Sequence, residues 1–163
     1  AQWLIPLLAN RGLSAALPKG TVGRYCLMAG GGFSVGVQTP SVDPLYVLAL
    51  ANSRLLFWYL RQISNRFRGG WITCTKQYVS LLPIRIPSDA ETRKEHDAIV
   101  LLASSLPSLN EKRAAAPSDH ARTILDRQID AAEREIDDRV YRLYGVTEDE
   151  RRRIEADAPK VDG

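Results

Sequence analysis

The sequence predicts an α/β protein of the α+β kind: a small mixed β unit around a buried helix, followed by an α-helical hairpin. Three observations predict it. Short apolar runs bounded by Gly, Pro and Asn fill the first 42 residues, as strands do. A long segment that is apolar on most sides follows Asp43-Pro44. From residue 88 onward, apolar residues recur at steps of three and four. The expected division is a unit at 1–87 and a helical hairpin with a short terminal helix at 88–163.

Residues 3–8 and 25–28 read as strands, and Gly30-Gly31-Gly32 leads into a further strand at 33–37. Asp43 offers an N-cap and Pro44 a first turn, so one helix is expected over 44–63. Leu45, Leu48, Ala51, Leu55, Trp58 and Tyr59 make one of its faces, and further apolar residues spread round the rest. Arg54 and Arg61, seven apart, form its polar stripe. Residues 66–74 read as a strand or hairpin interrupted by Gly69-Gly70. A short helix at 76–82 ends at Pro83, and Ile84-Arg85-Ile86 alternates like a strand.

The second half is helical. Ser88-Asp89-Ala90-Glu91 fits a capping box, and Ala98, Ile99, Leu102, Leu106 and Leu109 follow at helical spacing. A loop containing Pro117 precedes a long helix at 119–144. Its Leu125, Ile129, Ala132, Ile136, Val140 and Leu143 make a single seam, and Gly145 stops it. Thr147-Glu148-Asp149-Glu150 opens a short last helix. The seam reads as hairpin core, with partner docking as its second use.

Charge is divided unevenly. Residues 1–87 hold nine Lys/Arg and a single acid, Asp43; the rest hold thirteen bases and eighteen acids. An almost acid-free half suits a polyanion, and nucleic acid is the first candidate because phosphate neutralisation supplies most non-specific affinity. Cys26 and Cys74 match no metal spacing and read as reduced thiols of a cytoplasmic protein, a disulfide being the alternative. No apolar run is long enough for a membrane span, so no membrane is expected. Residues 1–9 lack a basic n-region, so no signal peptide is expected; the chain opens on Ala-Gln-Trp, as an excised domain would.

Two stretches carry candidate chemistry. Gly30, Gly31 and Gly32 can bring backbone N–H groups against a phosphate, or simply turn the chain between strands. No Gly-Lys-Ser/Thr follows and no strand–turn–helix surrounds them, so neither nucleotide fingerprint applies. Arg66, Arg68, Gly69, Gly70, Trp71, Thr73, Lys76, Gln77 and Tyr78 form the densest basic and aromatic stretch. It reads as a nucleic-acid contact, with a solvated loop around a buried Trp71 as the alternative. Arg11, Arg24, Arg54 and Arg61 complete the candidate DNA-binding set. Asp43-Pro44-Leu45-Tyr46 lacks the second proline of an amino-methyltransferase loop and reads as a helix cap. His96 and His120 belong to no ligand set, so no metal and no catalytic residue is expected.

The order of motifs supplies a resemblance. Trp3-Leu4-Ile5-Pro6-Leu7-Leu8-Ala9-Asn10-Arg11 and the 30–36 glycine run are followed by Leu48-Ala49-Leu50-Ala51-Asn52-Ser53-Arg54-Leu55-Leu56. Phe67-Arg68-Gly69-Gly70, Lys76-Gln77-Tyr78, Leu82-Pro83-Ile84, Ile129-Asp130 and Val140-Tyr141-Arg142-Leu143-Tyr144-Gly145 come next. This series resembles the TaqI-like C-terminal specificity domain of restriction-modification adenine methyltransferases, including fused restriction–methylation enzymes. The resemblance implies a DNA target recognition domain over 1–87 that grips double-stranded DNA. It implies that S-adenosylmethionine and the N6-adenine chemistry belong to a catalytic domain of the same full-length chain. This chain has no Asn-Pro-Pro-Phe/Tyr loop and no methyl-donor loop. The helical half is similar to the spacer of type I specificity subunits, so an assembly module is a competing expectation, and an RNA-binding domain is another.

Overall fold

A computed structural model describes residues 2–9, 15–16 and 32–157. The fold is mixed α+β, with a few short antiparallel strands and six helices among the described residues. The strands are β1 (Gln2–Pro6), β2 (Leu8–Ala9), β3 (Ala15–Ala16), β4 (Gly32–Gly36) and β5 (Ile72–Thr73). The helices are α1 (Pro44–Asn52), α2 (Arg54–Ile63), α3 (Lys76–Val79), α4 (Ala90–Ala114), α5 (Asp119–Tyr144) and α6 (Glu148–Ala156). No helix among the described residues is long and apolar enough to cross a membrane. The strand expected at 25–28 lies outside the described residues.

The apolar run at 3–8 is two strands rather than one. The chain bends at Leu7, so β1 joins a sheet of order β3-β1-β4, while β2 pairs with β5. Leu7 O accepts the N–H of Cys74 at 2.7 Å, which fastens the bend to the end of β5. β4 forms where a strand was expected, with Gly32 opposite Pro6 and Gly36 opposite Gln2. Gly32 has φ +149°, and a Cβ there would lie 2.4 Å from Ile5 O. No side chain fits at that position.

The single helix expected over 44–63 is broken at Ser53. Ser53 has extended backbone (φ −63°, ψ 152°) and serves as C-cap of α1 and N-cap of α2. Its hydroxyl donates to Leu50 O at 2.7 Å and accepts the Leu56 N–H at 3.3 Å. A buried serine that bonds its own backbone competes with the helical ladder. Asp137 of α5 completes the break by accepting the Arg54 N–H at 2.8 Å.

α1 lies between two apolar clusters. Tyr46, Ala49 and Leu50 pack with Ile99 and Ala103 of α4 and Ile136, Val140 and Leu143 of α5. Ala51 joins Phe57 and Leu60 of α2, Ile5, Ala9, Ile72 and Cys74. The boundary expected at 87/88 therefore marks a change of secondary structure, and the first cluster is built from both sides of it. Burial pushes the free Cys74 thiol up to about 11.

The strand expected at 84–86 does not form. Tyr46 Oη–H donates to Arg85 O at 2.8 Å, and Arg85 Nη1–H donates to Leu143 O at 2.8 Å. These bonds and Tyr144 Oη–H to Pro83 O (2.5 Å) satisfy the segment without a partner strand. The cap of α4 is Asp89, with Thr92 rather than Glu91 as its reciprocal partner. α5, its left-handed Gly145 cap and the Thr147–Glu150 capping box of α6 form as expected.

Two outcomes follow. Gly32→Ala should destabilise by about 2 kcal/mol or more, while Gly36→Ala should stay within about 0.5 kcal/mol, both read by urea unfolding. Asp137 carries the second. Burial raises its carboxyl from 3.8 to about 6 despite the Arg54 N–H and guanidinium beside it. The folded chain then keeps a proton that the unfolded chain releases, so this group's contribution to stability falls as pH rises from about 4 to 6. Asp137→Asn keeps an acceptor for the Arg54 N–H and should show a flatter unfolding free energy across that window. An identical slope in both proteins would refute the assignment.

Candidate nucleic-acid interface

The segment after α2 is a hairpin. Phe67 N–H donates to Trp71 O at 2.8 Å and Thr73 N–H to Asn65 O at 3.0 Å. Between these arms a tight turn, Arg68–Gly70, makes the tip. Gly69 and Gly70 have φ +73° and +74°, a left-handed backbone that glycine adopts without strain. One arm continues as β5, which pairs with β2 and so hangs the tip from the second apolar cluster.

The tip is open. Trp71 is 42 % exposed and Phe67 56 % exposed, so the alternative of a loop closing over a buried Trp71 does not hold. Trp71 Cδ1 lies over Gly69, 3.5 Å from where a Cβ would stand. Arg66 is exposed and held: its Nε–H donates to Arg61 O at 3.0 Å and its Nη2–H to Gln62 Oε1 at 3.1 Å. A cation over the last carbonyls of α2 is electrostatically favourable. Arg66 makes no ion pair among the described residues, and Gln62, which it bonds, donates its Nε2–H to Asp157 Oδ2 at 3.3 Å. Lys76 and Gln77 are exposed on α3, and Lys76 makes no ion pair among the described residues.

Other expected contacts are spent inside the molecule. Arg54 Nε lies 3.1 Å from Asp137 Oδ2. The Arg61 side chain is only 11 % exposed; its Nη1 bonds Asp157 O and stands 3.8 Å from Asp157 Oδ2. The polar stripe expected on one helix is thus the seam by which α2 meets α5 and α6. Tyr78 packs partly against the second cluster, and Thr73 is half-buried in β5. The backbones of Arg68, Gly69 and Gly70 sit at the tip; Gly32 opens β4 and is fixed by its contact with Ile5. Arg11, Arg24, Gly30 and Gly31 lie outside the described residues.

Phe67 belongs beside Trp71 and was not among the expected contacts. Its signal was present in the sequence: an aromatic between two arginines, next to two glycines, has no core to enter. His96 has a structural role. Its Nε2 accepts the Asp43 N–H at 3.0 Å and its Nδ1 lies 2.8 Å from Asp97 Oδ1, so Nδ1 carries the proton. No cluster of three or more His, Cys, Asp or Glu among the described residues could hold a metal. Comparison of the chain with protein-family models, curated proteins and solved structures finds no match in any of the three.

The geometry separates structural from offered cations, and stability measurements check the separation. Arg61→Ala should cost about 1–3 kcal/mol in urea unfolding, because it removes a largely buried side chain and its bond to the end of α6. Arg66→Ala should stay within about 0.5 kcal/mol.

Proposed function

We propose that this chain is the DNA target recognition module of a restriction-modification N6-adenine methyltransferase. The observation that carries the proposal is the hairpin tip. Phe67 and Trp71 are exposed on it, Arg66 stands at its base, Lys76 and Gln77 follow on α3, and none of the two cations is paired to a carboxylate. Cations set beside exposed rings suit nucleic acid, because phosphate neutralisation gives affinity and rings or forked side chains meet bases and sugars. The motif order described above gives the tip its proposed context. A catalytic domain elsewhere in a longer cytoplasmic protein would hold S-adenosylmethionine and receive the flipped adenine; this chain would position the duplex.

The α4–α5 hairpin favours a second role within the same reading. Beyond Leu106, which still packs on the first cluster, no residue up to 128 is buried, so the outer part of the hairpin leaves the core as an arm. The arm extends about 12 Å beyond Leu106 at 1.5 Å per residue, a suitable lever for assembly with another subunit or domain.

Duplex binding by the whole chain tests the proposal. Arg66→Ala with Lys76→Ala should weaken binding and lower the slope of log K against log salt by about 2, near 0.9 for each lost phosphate. Unchanged affinity and slope would reject the tip as the interface. Single-stranded RNA bound more tightly than duplex DNA would favour an RNA-binding module instead.

A further inference from the structure

α6 is held in place by little apolar surface. Of its nine residues only Ile154 is buried. The rest of its grip is polar. Arg151 Nη2 stands 2.8 Å from Asp138 Oδ1, and its guanidinium lies 5.0 Å from the centre of the Tyr141 ring. At the other end, the C-cap Asp157 meets α2. Its carbonyl oxygen accepts an Arg61 Nη1–H, and its carboxylate accepts the Gln62 Nε2–H. Two side chains that α6 touches keep a buried atom without a hydrogen-bond partner among the described residues: Arg61 Nε and Tyr141 Oη. Such groups weaken the docked state, because water would satisfy them once α6 lifted. A helix with one apolar anchor and unmet polar contacts opens locally at a smaller free energy than the core.

What this weakly held helix fastens is the base of the hairpin. Gln62 stands between Asp157 and Arg66. Its Nε2–H goes to Asp157 Oδ2 at 3.3 Å, and its Oε1 accepts the Arg66 Nη2–H at 3.1 Å. A carboxylate only accepts and a guanidinium only donates, so the link between them needs a side chain that does both. The primary amide of Gln62 does both and stays neutral. Arg66 is therefore fixed without being paired to an acid. Its Nε–H bonds Arg61 O at 3.0 Å, and Arg61 is itself held by Asp157. Both anchors of the Arg66 guanidinium thus run to one residue of the strap-like last helix.

We propose that α6 is a strap that sets Arg66 for the duplex, with Asp157 as the positioning residue, and that lifting the strap loosens the hairpin's grip. The inference rests on the DNA reading and names the control of that same site. A contact that merely closes the end of α6 is the competing account. It would change stability and leave the action of Arg66 untouched.

Two substitutions in the whole chain test this, because they change charge equally and differ at the acceptor. Asp157→Ala removes the acceptor for Gln62, and Asp157→Asn keeps one. Each removes one negative charge, which by itself would tighten binding to a polyanion. On a fluorescently labelled duplex of about two helical turns, Asp157→Ala should bind about fivefold more weakly than the parent, and Asp157→Asn within about twofold of it. In an Arg66→Ala background, Asp157→Ala should lose nothing further, since it acts through Arg66. Hydrogen exchange gives a readout without DNA. In the free parent the α6 amides should open about 100-fold more readily than those of Ile136 and Val140 in α5, and Tyr141→Phe, which removes an unmet hydroxyl, should slow them. Asp157→Ala binding as tightly as Asp157→Asn, or losing equally with and without Arg66, overturns the strap and leaves the DNA reading standing. Amides of α6 as protected as those of α5 overturn it as well. Failure of the parent chain to bind duplex at all overturns both.

Discussion

The contact on which the arrangement depends is the Asp137 carboxylate at the break between α1 and α2. It accepts the Arg54 N–H at 2.8 Å and meets the Arg54 guanidinium at 3.1 Å. A helix broken in its middle exposes four N–H groups of the second piece. Ser53 satisfies one of them, through Leu56. Asp137 satisfies another from 83 residues away in sequence. The break can therefore persist only while α5 is in place, and the direction of α2 is fixed by a residue on the helical hairpin. Burial raises the Asp137 carboxyl, so the clamp is costly to keep charged.

From this follows the mechanical link between the two halves. α1 shares a core with α4 and α5, and α2 turns from that core toward the strands. The exposed hairpin begins directly after α2, with Arg66 bonded to its last turn. Arg61 and Gln62 tie that turn to Asp157, and Arg151 holds α6 on α5 through Asp138 at 2.8 Å. A binding loop carried by packed elements can be precise although the loop itself is exposed. The helical half thus sets the pose of the tip even if no residue of it touches a ligand.

Legibility in the sequence follows the range of the interactions concerned. α5 was readable because its seam, its Gly145 cap and its length are all local properties. So were the α6 capping box and β4. The break at Ser53 was not, because Asn52-Ser53 within a strongly apolar run is outvoted locally and is decided by Asp137. Ile84-Arg85-Ile86 alternates like a strand, yet its partners are two tyrosines and a helix end, and periodicity cannot announce these. The basic and aromatic composition of 66–78 was legible, while the exposure of Trp71 was left open beside a buried alternative. The inward turn of Arg61 was not legible, since a basic residue on a helix carries no mark of which carboxylate will meet it.

That distinction changes what the charge asymmetry means. Six bases of the first half lie in the continuous described stretch: Arg54, Arg61, Arg66, Arg68, Lys76 and Arg85. Arg54 and Arg61 are matched by carboxylates of the trailing half, and Arg85 donates to the last carbonyls of α5. Part of the split between a basic half and an acidic half is therefore internal complementarity, which draws the two halves together. Among the described side chains of that stretch a ligand can use only the remainder, and it is local: Arg66 at the hairpin base and Lys76 on α3. Net charge over a segment overstates such an interface, because a cation already facing a carboxylate has little field left to offer. What distinguishes Arg66 and Lys76 is position. Neither forms an ion pair with the acidic helices among the described residues, and Arg66 stands on the same hairpin as the exposed rings of Phe67 and Trp71.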